Sequence, residues 1–411
     1  MKQILVIFSA LLIDILAFTA ILPLLPRILD HYKENDTDSL CSTFISYINS
    51  YKELIGAEDS RFDIVLFGGL VGSLYSILQA FVAPYIGRLS DKYGRKPILM
   101  LSMLGNILSA LIWFFSKNFN HFLLSRVVAG LSEGNVQLSI AMISDLTTTA
   151  NRSKGLALVG IAFSLGFTFG PGASAYVASR EPIYENAFAN ASLFSLIMLC
   201  LETIFLLFAL KETNIIDEKK PIAANKPKTQ QNSLALVHFI FLLIFSGMEF
   251  TITFLTFERF KFTHMEQGKL LGTIGIIAAC LQGGFVRRYG NKIGDDKIAF
   301  SGILSSAIGY LILGVAKTTG QLYIGAAFLA YTSATVVTCL TSLVSKFDKS
   351  GHSLGEFRRY GQLGRAIGPL LACSSYWFFG AKKVYVFSFT VTILVAFLFK
   401  MWIPFKKRKV E

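Results

Sequence analysis

Long apolar runs separated by short polar connections dominate this chain. Twelve of them come close to the roughly 20 mainly apolar residues that a membrane-crossing helix needs. The pattern predicts helices over 3–25, 64–86, 98–115, 122–143, 155–178, 189–210, 234–257, 270–285, 298–316, 322–344, 363–379 and 384–403. The eighth is the shortest, and glycines blur its ends. The first carries Asp14 at its centre and is too long for a secretory signal, so it reads as a retained helix. The expectation is an all-α integral membrane protein with twelve transmembrane helices.

A single polar stretch, 211–233, interrupts the alternation with five lysines and two prolines and no apolar period. It reads as a linker. It divides the chain into an N-terminal six-helix half, 1–210, and a C-terminal six-helix half, 234–411, which ends in a basic tail. Internal correspondences support a duplication. Gly170-Pro171 answers Gly368-Pro369, Gly166 answers Gly364, and Asp14 answers Glu249. The connection 27–63 is long and carries four basic against eight acidic residues. It reads as an outside loop, and Asn35-Asp36-Thr37 within it fits a glycosylation acceptor.

Composition agrees with a membrane protein: 53% of the 411 residues are apolar, 16% are charged, and the mean hydropathy is +0.55. The net charge of +13 invites a nucleic-acid reading. Placement decides against it, because Lys and Arg fall roughly twice as often on the side of the chain that holds 87–97 as on the other. That bias puts both termini in the cytosol. The tail Lys406-Lys407-Arg408-Lys409 then anchors the last helix, and Lys407-Arg408-Lys409-Val410-Glu411 resembles an endoplasmic-reticulum retrieval signal. The membrane of residence stays open between the plasma membrane, the endoplasmic reticulum and other internal membranes. Four of the five cysteines sit in apolar runs, so no disulfide framework or metal cluster is expected. No metal-binding His pair, nucleophile elbow or phosphate-cradling loop is present. Neither an enzyme nor a cofactor is expected.

The segment Gly87-Arg-Leu-Ser-Asp91-Lys-Tyr-Gly94-Arg95-Lys96-Pro97 packs four basic side chains and two glycines into one turn between helices two and three. Its spacing resembles the loop signature of major facilitator transporters. The run Gly160-Ile-Ala-Phe-Ser-Leu-Gly166-Phe-Thr-Phe-Gly170-Pro171-Gly172 resembles the helix-five antiporter signature of the same family, with small residues for close helix approach. In the second half, Gly284-Phe-Val-Arg287-Arg288-Tyr-Gly290 is read as the counterpart of the signature loop without its acid. Further stretches, Glu133-Gly134-Asn135-Val136 and Ser246-Gly247-Met248-Glu249 among them, resemble a branch of the family associated with organic anion and drug transport.

An ionisable group at membrane depth is costly, so by default it lines a cavity or pairs inside the bundle. Asp14, Arg126, Glu133, Glu202, Glu249 and Arg365 are the groups to explain. The resemblance places helices one, four, seven and ten around a central cavity. It implies that Asp14, Arg126, Glu133 and Glu249 meet substrate or protons there, and Gln137 and Arg365 are further candidates for the cavity. Arg126, Gly130, Glu133, Gly134, Gln137 and Ala141 share one helical face by spacing. Asp14 and Glu249 are the expected proton carriers, with Arg126 tuning them or holding an anion; structural pairing of Arg126 with Asp14 or Glu249 is the alternative. Gly87, Asp91, Gly94, Arg95 and Lys96 form the expected gating loop, Asp91 acting as a latch at the start of helix three. The expected function is alternating-access transport of amphipathic organic anions or drugs, exported by a proton-coupled monomer in a lipid bilayer. A receptor or scaffold that kept the fold is the competing class.

Overall fold

The computed structural model describes residues 2–22, 24–36, 39–56, 61–148, 151–213, 228–262, 264–348 and 350–403. Most of the linker, the basic tail and Thr37 of the acceptor site lie outside the described residues. Among the described residues all regular structure is helical: α1 (Lys2–Thr19), α2 (Leu25–Asn35), α3 (Ser39–Ile55), α4 (Arg61–Tyr93), α5 (Arg95–Phe114), α6 (Phe119–Ser132), α7 (Asn135–Leu146), α8 (Arg152–Ala178), α9 (Ala189–Ala209), α10 (Lys228–Phe260), α11 (His264–Cys280), α12 (Arg287–Ile293), α13 (Asp295–Val315), α14 (Thr319–Phe347) and α15 (Gly351–Trp402). Ten described helical stretches are long and apolar enough to cross a membrane. The 52-residue α15 folds back at Gly380, whose φ of 73° and ψ of 159° no helix contains, and so supplies two crossings. The interrupted pair α6–α7 supplies one more, which gives the twelve expected.

That interruption differs from the sequence reading. Glu133 is extended (φ −71°, ψ 95°) and Gly134 leaves the helical region, so the fourth crossing breaks between Ser132 and Asn135. Helical spacing therefore does not carry from Arg126 to Gln137. Backbone freed inside a membrane must be satisfied by a neighbour, and the Ser102 hydroxyl of α5 donates to the Ser132 carbonyl at 2.6 Å. A second irregularity joins α11 to α12 as one π-turn, Leu281–Val286. The connection expected as a loop over 27–63 instead forms α2 and α3. They bury Tyr32, Cys41 and Ile48 in an aromatic cluster with Phe67, Phe119 and Phe122. The acidic tally of this segment hid the apolar face that each helix presents.

Small residues set the packing within each half. At Gly166 and Gly170 a Cβ would collide with Ile15 and Thr19, so α8 lies directly against α1. At Gly364 and Gly368 it would collide with backbone of α10, so α15 lies against α10 in the same manner. Pro171 and Pro369 sit inside their helices at matching places. The two halves meet along α4 and α15 on one side and along α8, α11 and α14 on the other.

Candidate functional site

Residues 87–97 turn at one end of the bundle, here called the loop face. Gly94 closes α4 and opens α5 with φ 100°, a region that side chains rarely adopt. The turn places Arg95 inward, 3% exposed. Its guanidinium donates to Ser90 Oγ at 2.7 Å, to Asp91 Oδ1 at 2.6 Å and to Asp145 Oδ2 of α7 at 3.1 Å. Glu212 accepts from the Arg95 and Lys96 amides, both at 2.9 Å, and so caps α5. Lys96 Nζ donates to the Leu207 and Leu210 carbonyls at the end of α9. Both helix ends thereby meet the charge that suits their dipole.

Asp91 reaches across to the other half. Its two oxygens accept from the Gly351 amide at 2.7 Å and the His352 amide at 2.9 Å, the first residues of α15. Asp91 therefore meets the positive end of α15 as well as Arg95 at the start of α5. Below it Gly87 and Gly351 cross so closely that a Cβ on either would strike the other's backbone. Arg88 Nε donates to His352 Nδ1 at 3.0 Å. On the far side of the same face Arg152 of α8 donates to the Ser345 carbonyl of α14 at 2.6 Å. Polar contacts thus join the halves at the loop face from both sides.

Deeper in the first half a small cavity is lined by Asp14, Tyr75, Asn106, Trp113, Arg126 and Glu133 together with apolar neighbours. Asn135 of α7 donates to Asp14 Oδ1 at 2.8 Å, and Asn106 of α5 donates to Glu133 Oε2 at 3.3 Å. Glu202 of α9 is buried within Coulomb range of both acids. The break in the fourth crossing is what turns Glu133 and Asn135 toward α1 and α5. Arg126 sits over the rings of Trp113, at 5.2 Å, and Phe122, at 5.6 Å, and its Nε donates to Ser125. No carboxylate among the described residues lies within ion-pair distance of its guanidinium, so it pairs with neither Asp14 nor Glu249.

Other expected site residues lie elsewhere. Gln137 is buried and donates to the Ala83 carbonyl of α4 at 2.8 Å, outside the cavity lining. The reason is the helix break, which rotates α7 relative to α6. Glu249 lies on α10 in the second half, exposed, with Arg365 of α15 in Coulomb range. It does not join Asp14. Sequence reading missed Tyr75, Asn106, Asn135 and Arg358. Arg358 precedes the apolar run that marks helix eleven, but α15 begins at Gly351 and carries it into the bundle two helical turns before Arg365. An Arg seven residues from another was the available signal. His238 is buried within α10 and stacks on Phe357 at 4.1 Å.

Comparison with known proteins matches this architecture. Residues 7–369 fit the sequence profile of the Major Facilitator Superfamily. The chain is 36% identical over 434 residues to human Major facilitator superfamily domain-containing protein 10, covering 99% of this chain and 94% of that protein. The crystal structure of the human organic anion transporter MFSD10 (TETRAN) superposes with a TM-score of 0.89 at 33% identity, over 97% of this chain and 99% of that one. The class B tetracycline resistance protein of Escherichia coli is 26% identical over 276 residues, 64% of this chain and 65% of that protein. With twelve crossings in two matched halves and a family profile that spans most of its length, the chain belongs to the Major Facilitator Superfamily.

Proposed function

We propose that this transporter carries amphipathic organic anions or drugs across its membrane by alternating access, exporting them in exchange for protons. The observation that supports an anion is Arg126: a guanidinium in the cavity, backed by two aromatic faces, with no carboxylate within ion-pair distance among the described residues. A cation so placed keeps its charge available to a ligand, and the rings suit an apolar body. The human relative of known structure is itself an organic anion transporter. Asp14 and Glu133 line the cavity as proton acceptors, and Glu249 serves the second half. The loop 87–97 is the gate, and Gly166, Gly170 and Pro171 hold α8 to α1 as it rocks. Residues 211–233 tether the halves 1–210 and 234–411. The loop face and both termini face the cytosol, and the protein works as a monomer in the plasma membrane, the endoplasmic reticulum or another internal membrane.

Flux of organic anions and cationic drugs into proteoliposomes, with and without an imposed pH gradient, tests this reading. Wild-type protein is expected to move anions in a gradient-dependent manner, Arg126→Gln to lose anion flux, and Asp14→Asn and Glu249→Gln to lose the gradient dependence with expression intact. Folded protein that moves nothing supports the receptor or scaffold reading instead.

A further inference from the structure

The cavity that holds Arg126 is smaller than an amphipathic cargo. Its volume is about 50 Å³, room for a head group of a few heavy atoms, whereas a drug-sized molecule fills a site of roughly 300–1,000 Å³. The body of such an anion must therefore lie outside it. A strip of four rings leaves the cavity at its rim. Tyr75 of α4 and Phe18 of α1 both line the cavity, with ring centroids 5.8 Å apart. Phe18 meets Phe167 of α8 at 6.4 Å, and Phe167 stacks on Phe163 at 6.2 Å. The strip is not sealed, for Phe18 is 39% and Phe167 43% exposed. The side of α8 that carries it faces away from lipid. Gly166 and Gly170 press on α1, and Thr168 presses on Gly275 of α11. At about 100° per residue these contacts take two opposite sides of α8, Phe163 and Phe167 share a third, and the exposed Phe169 and Tyr176 share the fourth. The third side is the one that meets Phe18 and the cavity, which leaves the fourth to lipid. The second half lacks such a strip. In the correspondence of Gly166 with Gly364 and of Asp14 with Glu249, the places of Phe163, Phe167 and Phe18 are taken by Gly361, Arg365 and Thr253.

We infer that Tyr75, Phe18, Phe167 and Phe163 form the subsite for the body of the cargo, and that they select anions whose body is a planar aromatic ring system. This deepens the reading given under Proposed function and rests on it for the anionic head group. The head enters the cavity and meets the Arg126 guanidinium. The body leaves past Tyr75 and Phe18 and lies against Phe167, where its rings replace water on the exposed faces. Aromatic pairs gain through their ring quadrupoles beyond the area they bury, and a saturated body of the same skeleton forgoes that gain. Every group in this account belongs to α1, α4, α6 or α8, all helices of the first half, and the glycine contacts fix α8 on α1. Head and body of the cargo are thus held by one half, and the other closes over them.

The test is equilibrium binding to the purified protein in detergent, with no pH gradient, so that neither flux nor coupling enters. The ligands are naphthylacetate and decahydronaphthylacetate, which share a head group and a carbon skeleton and differ in aromaticity. Wild type is expected to bind the aryl compound about two- to tenfold more tightly than the saturated one. Phe18→Leu and Phe167→Leu keep an apolar side chain and are expected to bring that ratio to about one, chiefly by weakening the aryl compound. Phe250→Leu and Phe254→Leu, at a ring pair of α10 with centroids 6.1 Å apart, are expected to keep the wild-type ratio. The inference is overturned by folded wild type that binds no aryl compound or shows a ratio near one, and equally by a wild-type ratio in the Phe18→Leu, Phe167→Leu double variant. If the leucine variants fail to fold, photolabelling of wild type with a benzophenone carboxylate decides: adducts on α1 and α8 are expected, and adducts confined to α10 and α15 overturn it. Arg126→Gln is expected to weaken both carboxylates and to keep the ratio between them. Unchanged binding of both in that variant removes the anion reading of Arg126 and leaves the aromatic subsite standing, which separates the two proposals.

Discussion

The two halves meet the loop face with one backbone and opposite charges. In the first, Gly94 turns at φ 100° and is followed by Arg95, which pairs with Asp145 near the end of α7. In the second, Gly294 turns at φ 104° and is followed by buried Asp295, which pairs with Lys346 near the end of α14. The shared turn identifies the true counterpart of 87–97 as 287–297, displaced from the 284–290 segment suggested by glycine and arginine spacing. In that register Asn291 stands where Asp91 stands and Arg287 where Gly87 stands. The exchange teaches which parts are structural and which work the gate. Either polarity of ion pair ties the start of one helix to the end of another. The first half adds Asp91, an acid that reaches across to the partner half, and a glycine crossing close enough for it to arrive.

The comparison can be broken most severely at the second pair. Lys346→Met removes the cation from a carboxylate with 0% side-chain exposure, and a broken buried pair costs about 3–5 kcal/mol; thermal unfolding in detergent should fall accordingly. Asp145→Asn in the first half leaves Arg95 its bonds to Asp91 and Ser90, so the same assay should show about 1–2 kcal/mol. Equal losses at the two positions would refute that difference.

Asp91→Asn weakens two charge-assisted bonds to the α15 amides and should shift the access equilibrium toward an open loop face by about 1.5–3 kcal/mol, with little change in unfolding temperature. Labelling of cysteines at the loop face measures it. Gly351→Ala should act in the same direction by about 1–3 kcal/mol, since its Cβ would press on Gly87. The smallest effect belongs to the exposed pair Lys117–Glu185, 2.7 Å apart with side chains 61% and 66% exposed. Lys117→Met should change neither stability nor access measurably, because water screens that pair.

Several of these features were open to sequence reading. The apolar runs located the crossings because the bilayer imposes a length on each. The Gly-Pro pairs of α8 and α15 were visible because tight helix approach demands small residues at fixed spacing. The cavity was less legible. Asp14, Arg126 and Glu133 stand out by their charge in apolar surroundings, whereas Asn106, Asn135 and Tyr75 carry no charge and look like ordinary helix residues. Gln137 was misplaced by extending a helical period through Glu133-Gly134. Arg358 escapes notice because the apolar run that marks helix eleven begins later than the helix does.

What the sequence determined by itself was the class of solvent, the number of crossings, their pairing into two halves and the turn between the second and third. Those follow from local composition and from backbone rules that act over one helix or one turn. The tertiary structure decided where the charges point. Asp91 meets α15, and Arg126 meets aromatic rings. The energy of a buried charge depends on partners brought near by packing, at separations of hundreds of residues, and no local period records them.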